Sequence, residues 1–233
     1  MNAHPSTLLL VACLAGTADA ALVQYTDSAS FLAAIEADYY FENFQSLSGS
    51  GLPGSLDFGP VNGYGYTASA TTNLLSRGNI SGDYTLSVNL GTASLQFAFT
   101  GDAVTALGGY FFPKNNSAPT TGRINLSFSD GSTWTSNSAS PTSFIGFTSS
   151  VALTLLTVES PAQTCGGTFY CWANANDLYV GAAEQVPVAS TALLLAVGLF
   201  VPGLRRGRGV TGRAERLDTG LAAHDEPDGT LTR

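Results

Sequence analysis

Histidine is nearly absent from this chain of 233 residues, which contains only His4 and His224, one close to each end. The long stretch between them therefore has no imidazole group. Ser-His-Asp catalysis, Cys-His catalysis and histidine-ligated metal sites are excluded there. The chain also has no Gly-x-Ser-x-Gly elbow and no phosphate-binding glycine loop, so we expect no catalytic residues of these classes.

Positively charged side chains are also few. Lys and Arg total 9 against 17 Asp and Glu, which gives a formal net charge of −8. Between residues 21 and 184 the only basic side chains are Arg77, Lys114 and Arg123, against eleven acidic ones. Because such a body repels phosphate groups, we expect no nucleic-acid partner. Little charge with much Ser, Thr, Gly and Asn is typical of an extracellular β protein.

Cysteine occurs three times, and Cys13 lies in a segment that we expect to be removed. Cys165 and Cys171 would then be the remaining thiols, and an oxidising compartment would join them in a small disulfide loop. Closing so short a loop is expected to add about 2 kcal/mol. The spacing does not fit a Cys-x-x-Cys redox or zinc pair.

The N-terminus has the features of an export signal. An apolar stretch from Leu8 to Leu14 precedes the small residues Ala18 and Ala20, which predicts a signal peptide over residues 1–20. A lipoprotein signal is the alternative, because residues 10–13 fit a lipobox that would place diacylglycerol on Cys13. A third interpretation makes residues 1–20 part of the fold.

The C-terminal region contains a single apolar run. No charge occurs from Thr191 to Leu204, and a helix there would be about 20 Å long against a bilayer core of about 30 Å. Counting from Val186 gives a marginal span, so we expect residues 186–204 to contact the inner membrane. Arg205 and Arg206 would stay on the cytoplasmic side, which places the body outside. The alternative is a buried C-terminal helix of the globular domain.

The residues that lead into this run resemble a known sorting tag. The stretch is Val186-Pro187-Val188-Ala189-Ser190, followed by the apolar run and then by Arg205-Arg206. It resembles the PEP-CTERM signal of Gram-negative bacteria, whose motif is Val-Pro-Glu-Pro-Ser, with Val186, Pro187 and Ser190 as the matching positions. The resemblance implies an exosortase-like processing enzyme as a partner and an organism that makes exopolysaccharide.

The body between the two ends has the pattern of β structure. Short alternating or aromatic-rich stretches recur between clusters of Gly, Asn, Ser and Pro. They predict a mainly β fold, an antiparallel β-sandwich or jelly-roll-like domain, with one short N-terminal helix and a C-terminal hydrophobic helix. The helix is expected over residues 28–37 after the cap Asp27, and Asp130-Gly131 predicts a hairpin. The predicted strands cover residues 22–26, 40–44, 64–70, 84–90, 94–100, 104–112, 123–129, 133–137, 143–148, 152–159 and 177–181, with a loop over 49–60.

The predicted organisation has four parts. Residues 1–20 form the signal peptide, 21–184 the β-sandwich domain, 185–208 the sorting or transmembrane segment and 209–233 a disordered tail. Within the body, the opening Ala-Ser-Phe-Leu-Ala-Ala-Ile helix followed by Tyr-Phe-Glu-Asn-Phe is similar to proteins that carry the tag. That similarity implies a β-sandwich of undefined function.

Two candidate binding sites can be proposed from the body. Glu42 and Asp177 lie in an early and a late predicted strand and could share a structural Ca²⁺, or they could serve ordinary turn chemistry. Trp172 and Tyr170 could stack on sugar rings, or their rings could belong to the core. Ca²⁺ is the only cofactor that these patterns suggest.

These patterns together predict an exported, non-enzymatic protein of the cell surface or extracellular matrix, in contact with exopolysaccharide. It would be anchored through its C-terminus or released after processing. The alternative is a carbohydrate-active hydrolase that uses two converging carboxylates.

Overall fold

The computed structural model describes residues 21–47, 51–78, 83–115, 118–161 and 170–185. These residues form thirteen β-strands in two antiparallel sheets and one short α-helix. Both the signal peptide and the C-terminal segment predicted from the sequence lie outside the described residues. Within the described ranges, no helix is long and apolar enough to cross a membrane.

The first sheet has seven strands. They are β1 (Leu22–Tyr25), β2 (Tyr40–Glu42), β5 (Leu74–Gly78), β6 (Tyr84–Val88), β8 (Val104–Lys114), β11 (Phe144–Leu153) and β13 (Trp172–Gly181). Their order is β1-β11-β8-β13-β6-β5, and β2 also pairs with β13. Strand β13 is therefore bonded to three other strands.

The second sheet has six strands. They are β3 (Ser55–Val61), β4 (Tyr64–Ala70), β7 (Leu95–Gly101), β9 (Gly122–Phe128), β10 (Thr133–Ala139) and β12 (Leu155–Glu159). Their order is β10-β9-β12-β7-β4-β3. Strand β10 is at one edge of this sheet, as β1 is at one edge of the first.

The main hydrophobic core contains inward side chains from both sheets. Leu107 and Val180 of the first sheet and Phe97 and Leu126 of the second are fully buried in the same cluster. Removing this apolar surface from water is the main force that holds the sheets together. The prediction of a mainly β, antiparallel fold is confirmed, and the arrangement is β-sandwich-like.

The predicted helix is real but shorter than expected. Helix α1 covers Ser28–Leu32, and Asp27 caps it by accepting a hydrogen bond from the Ser30 N–H at 2.8 Å. The backbone then leaves the helix, because the Glu36 N–H donates to the Ala182 carbonyl in a bridge after β13. Tertiary hydrogen bonds therefore replace the last turn of the predicted helix.

The prediction of a loop over residues 49–60 is wrong from Ser55 onward, where β3 forms. Leu56 and Phe58 alternate with Ser55 and Asp57, and this two-residue period places both apolar side chains against the core. The glycine and proline content of the segment concealed that alternation. As an edge strand, β3 also tolerates Pro60.

Several other strand positions differ from the sequence predictions. Strand β5 was not predicted, because its adjacent buried leucines, Leu74 and Leu75, do not alternate with polar residues. Strand β13 begins at Trp172 rather than Asp177, and the predicted strand 152–159 divides between β11 and β12. The hairpin at Asp130-Gly131 is confirmed, with Gly131 at φ 86° between β9 and β10.

Helix α1 is seated on two paired glycines on the outer face of the first sheet. Gly108 of β8 and Gly146 of β11 are partners in the ladder, and the Phe31 ring lies directly over them. A Cβ at Gly146 would lie 2.5 Å from Phe31 Cδ2, and one at Gly108 would lie 2.9 Å from Phe31 Cε1. Because these two glycines have no side chains, the Phe31 ring can lie against the sheet, and this contact fixes the position of α1.

We expect Gly146→Ala to lower the free energy of unfolding by about 1–3 kcal/mol, because the new methyl group overlaps the Phe31 ring. Urea denaturation measures the change. Combining it with Phe31→Leu should cost less than the sum of the two single changes, since the smaller side chain leaves room for the methyl group. Strict additivity would contradict this close contact.

Candidate functional site

A cleft in the described part of the chain lies between the edge strands β1 and β10. Its volume is about 500 Å³, and we refer to it as the edge groove. Buried Phe111 and Ile145 form its apolar floor, on β8 and β11. The remaining lining residues are Gln24, Thr26, Asp27, Ser28, Tyr110, Trp134, Ser136, Ser138, Ala139, Thr142, Ser143 and Phe144.

An indole ring forms one wall of the edge groove in a fixed orientation. Trp134 Nε1 donates a hydrogen bond to Gln24 Oε1 at 3.1 Å, so the indole links β10 to β1. Its ring packs edge-on against Phe147, with centroids 6.0 Å apart. Tyr110 and Phe144 form a second T-shaped pair in the lining, at 5.6 Å. The aromatic rings that line the groove are therefore held in place by ring packing and by the hydrogen bond of Trp134.

Hydroxyl groups supply most of the polar lining. Six serine and threonine residues contribute, from the segment after β1, from β10 and from the loop before β11. Two of them belong to a local network, because Ser140 Oγ lies 2.7 Å from Ser143 Oγ and 3.2 Å from Thr142 Oγ1. Neutral groups that both donate and accept are suited to the hydroxyls of sugars. The six residues are Thr26, Ser28, Ser136, Ser138, Thr142 and Ser143.

Among the described residues that line the groove, Asp27 is the only carboxylate and none is a lysine or an arginine. The hydrogen bond from the Ser30 backbone N–H lowers the pKa of Asp27, and the hydrogen bond from the Ser30 side chain lowers it by a smaller amount. A carboxyl group that acts as a general acid needs the opposite, a raised pKa. Asp27 is thus suited to capping α1 and to accepting hydrogen bonds from a ligand, rather than to donating a proton.

The structure places the predicted sugar-binding pair at the start of β13. Tyr170 is 55% exposed, whereas Trp172 is half-buried and packs against the main core. Trp172 also lines a smaller cleft of about 180 Å³ with Lys114 and Asn115. Of the two predicted residues, Tyr170 has the more exposed ring.

Glu42 and Asp177, the predicted calcium pair, lie in neighbouring strands, since Glu42 of β2 is the ladder partner of Leu178 in β13. The Glu42 carboxylate has protein partners, however. Oε1 accepts from the Phe44 N–H at 2.7 Å and Oε2 from the Tyr40 hydroxyl at 2.9 Å. Burial raises the pKa of the Tyr40 hydroxyl, and the hydrogen bond to Glu42 and the charge of Glu42 raise it further. Glu42 therefore stabilises the turn after β2.

Asp83, the residue directly before β6, is the carboxylate whose charge acts on Asp177. Burial, and then the charge of Asp83, raise the pKa of Asp177. Asn176 lies against the same group, with Nδ2 donating to Asp83 Oδ2 at 2.8 Å. Sequence reasoning missed Asp83 because β6 and β13 are far apart along the chain, and only their pairing brings these residues together.

Metal-binding clusters of the usual kind are not found in the described ranges, where no three His, Cys, Asp or Glu side chains group together. Cys171 is buried, and its predicted partner Cys165 lies outside those ranges. The same holds for the sorting-motif residues Val186, Pro187, Ser190, Arg205 and Arg206. The disulfide and the sorting signal therefore stay predictions.

Comparison of the chain with protein-family models matches no family, and a search of curated proteins finds no similar sequence.

We expect Glu42→Ala to lower the free energy of unfolding by about 2 kcal/mol, because the buried Phe44 turn and the Tyr40 hydroxyl both lose their acceptor. Glu42→Gln should cost less, since its amide oxygen can still accept one of the two bonds. Urea denaturation with and without EDTA measures both variants. A loss for Glu42→Ala that appears only with Ca²⁺ present would show that Glu42 is a metal ligand instead.

Proposed function

We propose that this chain is an exported, non-enzymatic surface or matrix protein of a Gram-negative bacterium, which binds exopolysaccharide in its edge groove. The lining of the groove carries this proposal: fixed aromatic rings beside six hydroxyl-bearing side chains, with a single carboxylate. Pyranose rings present apolar faces that stack on aromatic rings and hydroxyls that bond to such groups. The acidic, histidine-free body agrees with a binding role.

The proposed route to the surface rests on the two ends of the chain. Residues 1–20 would direct export, and residues 186–204 would hold the protein in the inner membrane until an exosortase-like enzyme acts on it. The protein would then stay anchored or be released to the cell surface or matrix. An oxidising compartment on this route would also close the Cys165–Cys171 disulfide.

A jelly-roll-like topology is part of the same proposal. From β7 to β13 the chain repeatedly crosses between the sheets, with β7, β9, β10 and β12 in the second sheet and β8, β11 and β13 in the first. Such crossing connections are typical of jelly rolls, many of which carry binding sites. One such crossing, from β10 to β11, contributes Thr142 and Ser143 to the lining of the groove.

The alternative function, a carbohydrate-active hydrolase, needs two carboxylates that flank the sugar bond, one of them with a raised pKa. The edge groove provides only Asp27, whose pKa is lowered. Burial and the charge of Asp83 raise the pKa of Asp177, but neither residue is among those that line the groove. Binding is therefore the better-supported function.

We expect the full-length protein to bind neutral polysaccharides and to bind uronic-acid-rich ones more weakly, because no cationic side chain lines the groove. Trp134→Ala should weaken binding about tenfold or more, the equivalent of roughly 1.4 kcal/mol. Trp172→Ala is the matched control and should bind as the wild type does. Affinity electrophoresis and calorimetry measure binding, and circular dichroism checks the fold.

Three results would change this proposal. If Trp172→Ala abolished binding while Trp134→Ala did not, the sugar site would be the one predicted around Trp172 and Tyr170. Release of reducing sugar from any polymer would favour the hydrolase. Failure to bind any polysaccharide in a broad set would reject the edge groove as a glycan site.

The mass of the mature protein from a Gram-negative host tests the proposed export. We expect a chain that begins at Ala21 and is two hydrogens lighter before reduction than after it, because Cys165 and Cys171 are joined. Cys13→Ser is the control and should give the same mass. A lipid-modified chain that begins at Cys13 would establish the lipoprotein alternative, and an intact N-terminus would overturn export.

A further inference from the structure

Aromatic side chains lie on the outer face of the first sheet, beyond the two glycines that seat α1. Gly146 and Gly108 are ladder partners, and the same level continues with Tyr179 of β13 and Phe41 of β2. Leu178, the neighbour of Tyr179, belongs to the main core. Because successive side chains of a strand point to opposite faces, Tyr179 and its ladder partner Phe41 project outward.

These two rings are in contact with the aromatic lining of the edge groove. Phe144, which lines the groove, lies 5.6 Å from Tyr110 and 6.2 Å from Tyr179 between ring centroids. Tyr179 in turn lies 4.6 Å from Phe41, with an angle of 35° between the ring planes. All three separations are those of directly interacting rings. A file of four rings, Tyr110, Phe144, Tyr179 and Phe41, therefore leads from the groove across the outer face, and we call it the aromatic track.

The far end of the aromatic track is open to solvent. Phe41 is 41% exposed, and Tyr110 and Tyr179 are half-buried. Phe144 is buried, so it supports its neighbours from below. A single exposed apolar side chain is ordinary on a protein surface. Phe41 is different because it extends a file of rings that begins in a cleft.

Neutral hydroxyl groups accompany these rings. Tyr39 is half-buried and lies 5.6 Å from Tyr179 between ring centroids, so it adds a third phenol to those of Tyr110 and Tyr179. Burial raises the pKa of Tyr179, and the charge of Asp177 raises it further, which keeps this hydroxyl protonated. A protonated phenol can both donate and accept a hydrogen bond. The track thus repeats the combination of rings and hydroxyls that lines the groove.

Charge and shape favour one kind of occupant for the aromatic track. The protein has a formal net charge of −8, and Asp177 lies beside the track. Like charges therefore oppose the approach of a second copy of the chain. A single file of rings is also the shape of an extended polymer rather than of the broad patch that a stable protein interface buries. A neutral sugar chain meets neither difficulty, and its rings can stack on aromatic side chains.

We propose that one neutral polysaccharide chain occupies the edge groove and the aromatic track together, with Phe41 as the outermost stacking residue. This inference rests on the proposed glycan binding by the groove, and it identifies the ligand as an extended polymer rather than a small sugar. The two contact regions reinforce each other, because a chain already held in the groove is at high effective concentration over the track.

The test compares a short and a long fragment of the same sugar chain on the full-length protein. The probe is the neutral polysaccharide that the wild type binds most tightly in the broad set, offered as its disaccharide and its octasaccharide. Calorimetry and NMR titration should show tighter binding of the octasaccharide, because only the longer fragment reaches from the groove to Phe41. Phe41→Ala should weaken octasaccharide binding about threefold to tenfold and leave disaccharide binding unchanged. Trp134→Ala should weaken both.

Three further variants separate ring stacking from a structural role of Phe41. Phe41→Tyr keeps the flat ring and should bind the octasaccharide as the wild type does, whereas Phe41→Leu should bind it as weakly as Phe41→Ala. Val61→Ala is the matched control, since Val61 is a 45% exposed apolar residue on β3 of the other sheet. It should bind both fragments normally, and circular dichroism checks the fold of every variant.

Several results would contradict the aromatic track. Wild-type octasaccharide binding by Phe41→Ala, together with weakened binding by Trp134→Ala, would leave the groove as the whole site. Equal affinity of the wild type for both fragments would have the same meaning. A wild-type dimer that Phe41→Ala converts to a monomer in analytical ultracentrifugation would assign the track to a second copy. Failure of the wild type to bind any polysaccharide would instead reject the proposed function, and the track with it.

Discussion

The pairing of β13 with three other strands is the constraint on which the rest of the structure depends. Its long edge with β8 fixes the middle of the first sheet, and its other edge is shared by β6 and β2. Among the described residues, β6 pairs with Asn174 and Ala175 on the shared edge, and β2 pairs with β13 from Leu178 onward. The contact between Asn176 and Asp83 follows from this topology, since the two residues are distant in the sequence.

The predictable part of the fold is the part with local causes. Alternation identified most strands, Asp27 identified the start of α1, and Asp130-Gly131 identified a hairpin. Errors arose where a distant partner decided the outcome. Hydrogen bonds with the segment after β13 end α1 early, and β3 forms because Leu56 and Phe58 contact a core that the segment itself does not contain.

In the candidate sites, too, the features with local causes were predictable and those that depend on distant residues were not. Sequence reasoning paired Asp177 with Glu42, because an early and a late strand were expected to be neighbours. Strands β2 and β13 are neighbours, and the Glu42 carboxylate accepts hydrogen bonds from the Tyr40 hydroxyl and the Phe44 N–H. The edge groove could not be predicted, because its lining comes from four strands and two connecting segments.

Charge distribution separates the edge groove from the rest of this acidic body. The described residues of its lining offer neutral hydroxyls and one capped carboxylate, so a polysaccharide in the proposed site would meet hydrogen-bonding groups without strong attraction or repulsion. Binding there would therefore depend on stacking and hydrogen bonding rather than on charge.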